Sequence, residues 1–214
     1  MTPASLFPSL PSWLLRIALV LLLGAGPALA DTPVPRYFRE LASLTADFRQ
    51  TVYDPKGQPA QVSSGQVWMQ KPGRFRWDYR EPTRQIIVAD GSRLWIYDEG
   101  LEQVTVRKLD AALGATPLAL LSGAAPIDEA FKVGAARNRD GLSWTELTPK
   151  AEASDFRLLR VGFQGDRLAA IELEDAFGGR TRLVFEHLQR NAAIDAERFR
   201  FVPPKGVDVI GDVE

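Results

Sequence analysis

Side chains that could do acid–base or nucleophilic chemistry are few in this 214-residue sequence. His187, the only histidine, lies on a predicted strand, where an isolated histidine is more often structural than catalytic. Two carboxylate pairs, Asp98 with Glu99 and Glu172 with Glu174, have the residue types that glycoside hydrolases use as acid and base. The first pair precedes a turn and the second alternates with apolar residues, which is typical of carboxylates on a solvated face. The pattern favours a protein that is not an enzyme, with a secreted carboxylate-dependent hydrolase as the alternative from another class.

The composition excludes several further classes of protein. The sequence has no cysteine, which excludes disulfides, thiolate nucleophiles, cysteine-rich metal sites and acylation of the chain's own cysteine. It has no P-loop, nucleophile elbow or dinucleotide fingerprint. Lysine and arginine number 26 against 27 aspartates and glutamates, and this net charge of -1 provides no basic field for nucleic acid. We therefore expect no metal site, no cofactor and no nucleic-acid partner.

The first thirty residues have the pattern of a secretory signal peptide. Arg16 precedes an apolar run over residues 17–26, and Ala-Leu-Ala at 28–30 forms a cleavage site before Asp31. The run is about half as long as the roughly 20 residues that a bilayer-spanning helix needs. We expect cleavage between residues 30 and 31 and an exported, soluble mature chain over 31–214, forming one domain. Because the leader carries only one charged residue, the mature chain has 25 basic and 27 acidic side chains, a net charge of -2.

The mature chain has the periodicity of a β-rich protein. Apolar residues at three- and four-residue spacings predict one short amphipathic helix over 36–45. From Ala46 the period changes to two, and short Asp-Gly and Glu-Gly turns leave no room for crossover helices, so an antiparallel meander is predicted. Thr116 and Pro117 have the residue types of a helix start and predict the second of two short helical pieces, 109–114 and 116–123. About ten strands and three short helices are predicted in all, the later strands at 131–135, 142–148, 158–164, 168–175 and 180–189, then a helical turn at 195–199 and a last strand before the turn at 203–206.

Aromatic residues are concentrated on the first half of the predicted sheet. Six of them fall within thirty residues: Trp68, Phe75, Trp77, Tyr79, Trp95 and Tyr97. An ordinary core is one explanation, because every core contains aromatic side chains. A cavity for a hydrophobic ligand is the other, because a curled sheet with three short helices has more apolar face than the helices can cover.

An ordered set of short motifs resembles the LolA family of periplasmic outer-membrane lipoprotein carriers. The set runs over essentially the whole mature chain and begins with Phe48-x-Gln50. It continues with Lys71-Pro72, Phe75-Arg76-Trp77, Pro82, Asp90-Gly91, Leu94-Trp95-Ile96-Tyr97-Asp98, Gln103-Val104, Thr116-Pro117 and Pro203-Pro204-Lys205-Gly206-Val207. A single Lys-Pro or Asp-Gly would be weak evidence, but the ordered set is specific.

The resemblance implies a fold and a function. The fold is mainly β with short helices, an incomplete, unclosed antiparallel β-barrel covered by a helical lid over a hydrophobic cavity. The function is that of a monomeric periplasmic chaperone that takes acylated lipoproteins from an inner-membrane ABC transporter similar to LolCDE and delivers them to an outer-membrane receptor similar to LolB. Such receptors share the fold but are lipid-anchored, and a chain without cysteine favours the carrier. A periplasmic sensor or a specialised lipid carrier on the same fold is the alternative.

The resemblance also assigns site residues. Phe75 and Trp77 share a strand face that is expected to point into the cavity. Ile87, Leu118 and Leu121 are assigned to the lining as well, although the consecutive apolar residues at 86–88 prevent periodicity from choosing the face of Ile87. The family often has arginine before the first proline of the set, where it fastens the lid by hydrogen bonds to backbone carbonyls. Here the position is Lys71, which offers a point charge in place of a planar fork, so a latch with less defined geometry is expected.

Overall fold

The structure is a computed structural model and describes residues 33–109, 126–151, 154 and 156–212. Its helices are α1 (Pro33–Glu40), α2 (Ile127–Ala130) and a 3-10 turn (Ala196–Phe199). Its strands are β1 (Ser43–Tyr53), β2 (Pro59–Gln70), β3 (Arg74–Glu81), β4 (Gln85–Asp90), β5 (Arg93–Asp98), β6 (Gln103–Lys108), β7 (Phe131–Arg139), β8 (Leu142–Pro149), β9 (Phe156–Gln164), β10 (Arg167–Asp175), β11 (Arg180–Arg190) and β12 (Asp208–Gly211). Within the described ranges, no helix is long and apolar enough to cross a membrane.

The strands form one twelve-stranded sheet in the order β12-β6-β5-β4-β3-β2-β1-β11-β10-β9-β8-β7. Neighbours pair antiparallel, except that β12 pairs parallel with β6. The order has two ends, so the described sheet is unclosed. The predicted mainly β class and the unclosed sheet are confirmed. The helical pieces predicted over 109–114 and 116–123 lie outside the described residues, except for Leu109.

Two predictions about the chain ends are corrected. The last strand, predicted before the turn at 203–206, lies after it as β12, because its residues find hydrogen-bonding partners on β6. The first helix, predicted over 36–45, covers Pro33–Glu40. It ends there because Ser43 and the residues after it pair with β2, and because the Asn191 side chain donates to the Glu40 carbonyl (3.1 Å) and accepts from the Ala42 N–H (2.8 Å).

Helix α1 shows that the sheet curls. Val34, Tyr37 and Phe38 form its buried face, at the spacing of an amphipathic helix. The Tyr37 ring lies 5.0 Å from that of Phe163 on β9, while the carbonyl of the next residue, Phe38, bonds Lys71 at the end of β2. In a flat sheet β2 and β9 would lie roughly 19 Å apart, four strand spacings. The sheet therefore wraps around α1, and its inner face forms the main core.

The aromatic residues singled out in the sequence divide between the two faces. Phe75, Trp77 and Tyr79 belong to the inner face and its core. Trp68, Trp95 and Tyr97 lie on the outer face, where the 3-10 turn and the chain after it cover them. The Phe201 ring lies 5.8 Å from that of Trp95 and 6.0 Å from that of Tyr97, and the Arg198 guanidinium lies 4.6 Å from the Trp68 ring. Only half of the set is therefore available to the interior.

Candidate functional site

The inner face of β3 and β4 holds three of the predicted lining residues together. Phe75 and Trp77 are 2% and 1% exposed. Trp77 is directly opposite Ile87 in the antiparallel register, and Phe75 is opposite Ala89. Because directly opposed side chains lie on one face of a sheet, Ile87 points inward with Trp77, and its neighbours at 86 and 88 point outward. Leu118 and Leu121 lie outside the described residues.

An aromatic cluster forms the centre of this inner face. The Phe48 ring lies 5.1 Å from the rings of both Trp77 and Tyr79, although β2 runs between their strands. The β2 residue between Phe48 and Tyr79 is Gly65. Glycine is needed there, because a Cβ at position 65 would lie 1.9 Å from the Asp78 carbonyl oxygen. The absent side chain lets the rings meet across the strand.

The polar groups on the inner face are neutral. The Tyr79 hydroxyl donates to Gln50 Oε1 at 3.0 Å, and burial raises the pKa of Tyr79 to about 12. The β2 residues opposite Trp77 and Phe75 are Val67 and Met69, and both are buried and apolar. The face can therefore bind apolar groups.

Three buried polar atoms on the inner side have no hydrogen-bond partner among the described residues. They are Trp77 Nε1, the Tyr37 hydroxyl and Thr145 Oγ1. Thr145 belongs to this side because it lies opposite Val161, a core residue of β9. Buried polar groups are nearly always paired, so each of these atoms calls for an explanation.

Lys71 connects the end of β2 to α1. Its Nζ donates to the Phe38 carbonyl at 2.5 Å, and its backbone N–H donates to the Ala42 carbonyl at 2.8 Å. Phe38 is in the last turn of α1, whose carbonyls have no partner within the helix and carry partial negative charge. Burial lowers the pKa of Lys71. The lysine thus binds a backbone carbonyl, as the resemblance implies, and the element that it holds is α1.

Glu172 and Glu174, one of the two carboxylate pairs considered for hydrolysis, lie on the outer face in ion pairs. Glu172 is 2% exposed and bonds Arg139 Nη2 at 2.9 Å, with Arg160 and Arg182 nearby. Burial acts to raise the pKa of Glu174, but the contacts with Arg157 and Arg160 lower it overall. Both carboxylates are held in structural ion pairs. Among the described residues, no group of three His, Cys, Asp or Glu side chains is placed so that it could hold a metal ion.

His187 is a surface residue. Its side chain is 81% exposed, and Nδ1 lies 2.9 Å from Asp47 Oδ2. Hydrogen bonds from Gln66 and His187 lower the pKa of Asp47. The histidine thus makes an exposed side-chain contact with Asp47.

The sequence analysis named Tyr79 among the aromatic residues and Gln50 within a motif, but it did not pair them or assign them to the site. Gln50 and Tyr79 follow the two-residue period of Phe48 and Trp77, so that period could have found their pairing. Tyr37 and Thr145 gave no such signal, because the contacts that bury them come from elements far apart in the chain.

A curled, unclosed sheet with an uncharged aromatic inner face defines a binding protein for apolar ligands. Residues 39–202 match the family described as Outer membrane lipoprotein carrier protein LolA. The chain belongs to this family, and the resemblance read from its motifs is confirmed.

Two relatives support the assignment, and one solved structure shares the fold. The outer-membrane lipoprotein carrier protein of Methylococcus capsulatus is 44% identical over 170 residues, covering 79% of this chain and 82% of the relative. That of Methylibium petroleiphilum is 43% identical over 193 residues, covering 90% and 95%. An uncharacterized conserved protein from Thermus thermophilus has a TM-score of 0.51 at 12% identity, covering 83% of this chain and 93% of that one. This last similarity establishes the shared fold alone.

Proposed function

We propose that the protein is a periplasmic carrier of acylated lipoproteins and not an enzyme. The observation that carries the proposal is the inner face of β3 and β4, where Phe75, Trp77 and Ile87 lie together in an uncharged core. An acyl chain placed against this face is removed from water without burying any charge. The family and the names of its relatives supply the cargo class.

The energetics of acyl burial require partners on both membranes. Each buried CH₂ contributes about 0.8 kcal/mol, so several long chains amount to tens of kcal/mol relative to water. A membrane offers nearly the same gain, so a carrier cannot extract its cargo unaided at a useful rate. Loading is then driven by an ATP-dependent inner-membrane transporter similar to LolCDE, and unloading by an outer-membrane receptor similar to LolB. The carrier acts as a monomer.

Two sequence-based expectations belong to this proposal. The leader over residues 1–30 directs export and is removed before Asp31, so that the mature chain moves free in the periplasm. Lys71 serves as a latch that holds α1 against the sheet, and cargo entry requires this contact to loosen. The bond from Lys71 Nζ to the Phe38 carbonyl supports this role.

The cavity assignment is tested by placing a charge on the inner face. Phe75→Glu puts a carboxylate among buried apolar side chains, and we expect it to abolish acceptance of a lipoprotein released from inner-membrane vesicles. Phe177→Glu is the matched control, because Phe177 is 89% exposed in a hairpin turn and the same change there should leave loading intact. Normal loading of Phe75→Glu would refute the assignment.

Because Phe75→Glu buries a charge, its fold must be checked by circular dichroism. A second experiment avoids this dependence. A photo-crosslinking benzoylphenylalanine at the partly buried Ile87 should capture lipoprotein during transfer, whereas the same probe at Phe177 should not. Capture at Phe177 alone would place the cargo on a different surface.

A further inference from the structure

The indole N–H of Trp77 is a buried donor without an acceptor among the described residues. Trp77 is 1% exposed, and its Nε1 has no hydrogen-bond partner among the described residues. Two other tryptophans are satisfied within the protein. Trp95 Nε1 donates to Asp90 Oδ2 at 2.9 Å, and Trp144 Nε1 donates to the Arg139 carbonyl at 3.1 Å. An indole N–H without an acceptor is therefore a feature of Trp77 on the inner face and is not general among the tryptophans of this sheet.

The described surroundings of Trp77 are apolar. Its cross-strand neighbours are Val67 and Ile87, and the Phe48 ring lies 5.1 Å from its own. These side chains have no acceptor atoms. An indole N–H can only donate, so a bound ligand that carries an acceptor could satisfy it.

The chemistry of an acyl ligand supplies that acceptor. A hydrocarbon chain cannot accept a hydrogen bond, but every acyl group begins at an ester or amide carbonyl. We propose that Trp77 Nε1 donates a hydrogen bond to the carbonyl of an acyl ester or amide bound against the inner face. The protein then recognises the acyl group at its carbonyl as well as along its chain. This inference rests on the proposed carrier function and specifies the polar contact within the same site.

The position of Trp77 determines how deeply the carbonyl end of a bound acyl chain must enter. Phe75 and Tyr79 flank it on the same face of β3, so the indole N–H is surrounded by the apolar face and not set at its rim. A carbonyl that reaches it must enter with its chain, and the linkage between acyl chain and head group is then buried. In such an apolar setting a hydrogen bond is electrostatically stronger than in water.

The test compares two lipids that differ only in the carbonyl. 1,2-Dioctanoylglycerol has two ester carbonyls, and 1,2-dioctylglycerol has ether oxygens in their place, which are weaker acceptors. Their dissociation constants are measured by displacement of a fluorescent naphthalene-sulfonate dye from the purified protein. We expect the wild type to bind the ester about threefold to tenfold more tightly, the effect of one neutral hydrogen bond. Trp77→Phe should bind both lipids equally.

Trp144→Phe is the matched control, since it makes the same change at another buried tryptophan, on the outer face, and should retain the ester preference. An ester preference that persists in Trp77→Phe, or is missing from the wild type, would overturn the inference. Equal binding of both lipids leaves the carrier proposal standing, whereas binding of neither contradicts that proposal as well.

A spectroscopic measurement does not depend on the folding of Trp77→Phe. The indole ¹⁵N–¹H resonance of Trp77 is assigned by elimination, with phenylalanine variants of the other tryptophans. Adding dioctanoylglycerol should move this resonance downfield, and adding dioctylglycerol should move it less. Identical shifts with both lipids would show that the indole makes no bond to the carbonyl.

Discussion

Lys71 Nζ donates a hydrogen bond to the backbone carbonyl of Phe38, and this contact joins two parts of the chain 33 positions apart. It places a cation at the last turn of α1, where the helix dipole and an unpaired carbonyl both favour positive charge. Asn191 donates to the Glu40 carbonyl and so holds the same helix end. It follows β11, which lies on the opposite side of β1 from β2. Arg190 Nη2 also donates to Glu40 Oε2 at 2.8 Å, so this end of α1 is held by Lys71, Asn191 and Arg190, of which Lys71 and Arg190 are charged.

Removing the ammonium group should loosen α1. Lys71→Met keeps an unbranched stem but loses the donor, and we expect a loss of about 1 kcal/mol in the free energy of unfolding, since the lysine is half-buried. Lys71→Arg should recover most of this loss, because a guanidinium also donates to carbonyls. Urea unfolding measures both variants, with Lys56→Met as the exposed control. If Lys71→Met unfolds like the wild type, Lys71 does not hold the helix.

The same variant tests the latch during transfer. Lys71→Met should change the rate at which loaded protein releases its cargo to outer-membrane vesicles, because the closed position of α1 is weakened. Unchanged transfer kinetics in a variant with reduced stability would separate the structural contact from any role in gating.

The Tyr79–Gln50 pair predicts a pH dependence at the alkaline end. Burial raises the pKa of Tyr79 from 10.0 to about 12, so the folded state disfavours the tyrosinate. The unfolded chain loses this proton first, and stability should fall as the pH rises from about 10 towards 12. Tyr79→Phe removes that contribution but leaves the Gln50 side chain without its donor, which should cost about 1 kcal/mol at pH 7. Urea unfolding at pH 7 and pH 11 should show curves that converge, and parallel curves would contradict the prediction.

Local sequence pattern was enough to predict most of the strands, β12 excepted, and the shared face of Phe75 and Trp77. A two-residue period is a local property, so it survives without knowledge of the fold. The face of Ile87 was not accessible in this way, because its neighbours are also apolar and only the pairing with Trp77 decides it. Helix α2 was missed because four residues are too few to show a helical period.

The features that the sequence did not predict depend on contacts between distant segments of the chain. The parallel pairing of Asp208–Gly211 with β6 joins residues about a hundred positions apart. A strand of four residues is too short to show a periodic pattern from which it could be predicted. The acceptor of Lys71 and the missing acceptor of Trp77 are likewise properties of packing. The resemblance to a family supplied the position of Lys71, but the structure identified α1 as the element that it binds.

Gly65 should be one of the least replaceable residues of the sheet. A Cβ at this position would lie 1.9 Å from the Asp78 carbonyl oxygen, which is backbone and cannot rotate away. We expect Gly65→Ala to lower the free energy of unfolding by about 2–3 kcal/mol. Gly100→Ala is the control, since the nearest atom to its Cβ would be Asp98 Oδ1 at 3.5 Å, an ordinary contact. Chemical denaturation compares the two, and equal stabilities would mean that β2 and β3 can separate without cost.

The chain after the 3-10 turn should protect the outer face of β4 to β6. Phe201 packs against Trp95 and Tyr97, so Phe201→Ala would expose both rings to water. We expect a red shift of tryptophan fluorescence and a loss of roughly 1–3 kcal/mol, because Phe201 is partly and not fully buried. Val202→Ala, next in sequence but 67% exposed, should change neither quantity. Since Phe201 lies on the face opposite to Trp77, Phe201→Ala should also leave dioctanoylglycerol binding unchanged. A variant that loses lipid binding together with outer-face packing would show that the two faces of the sheet are coupled.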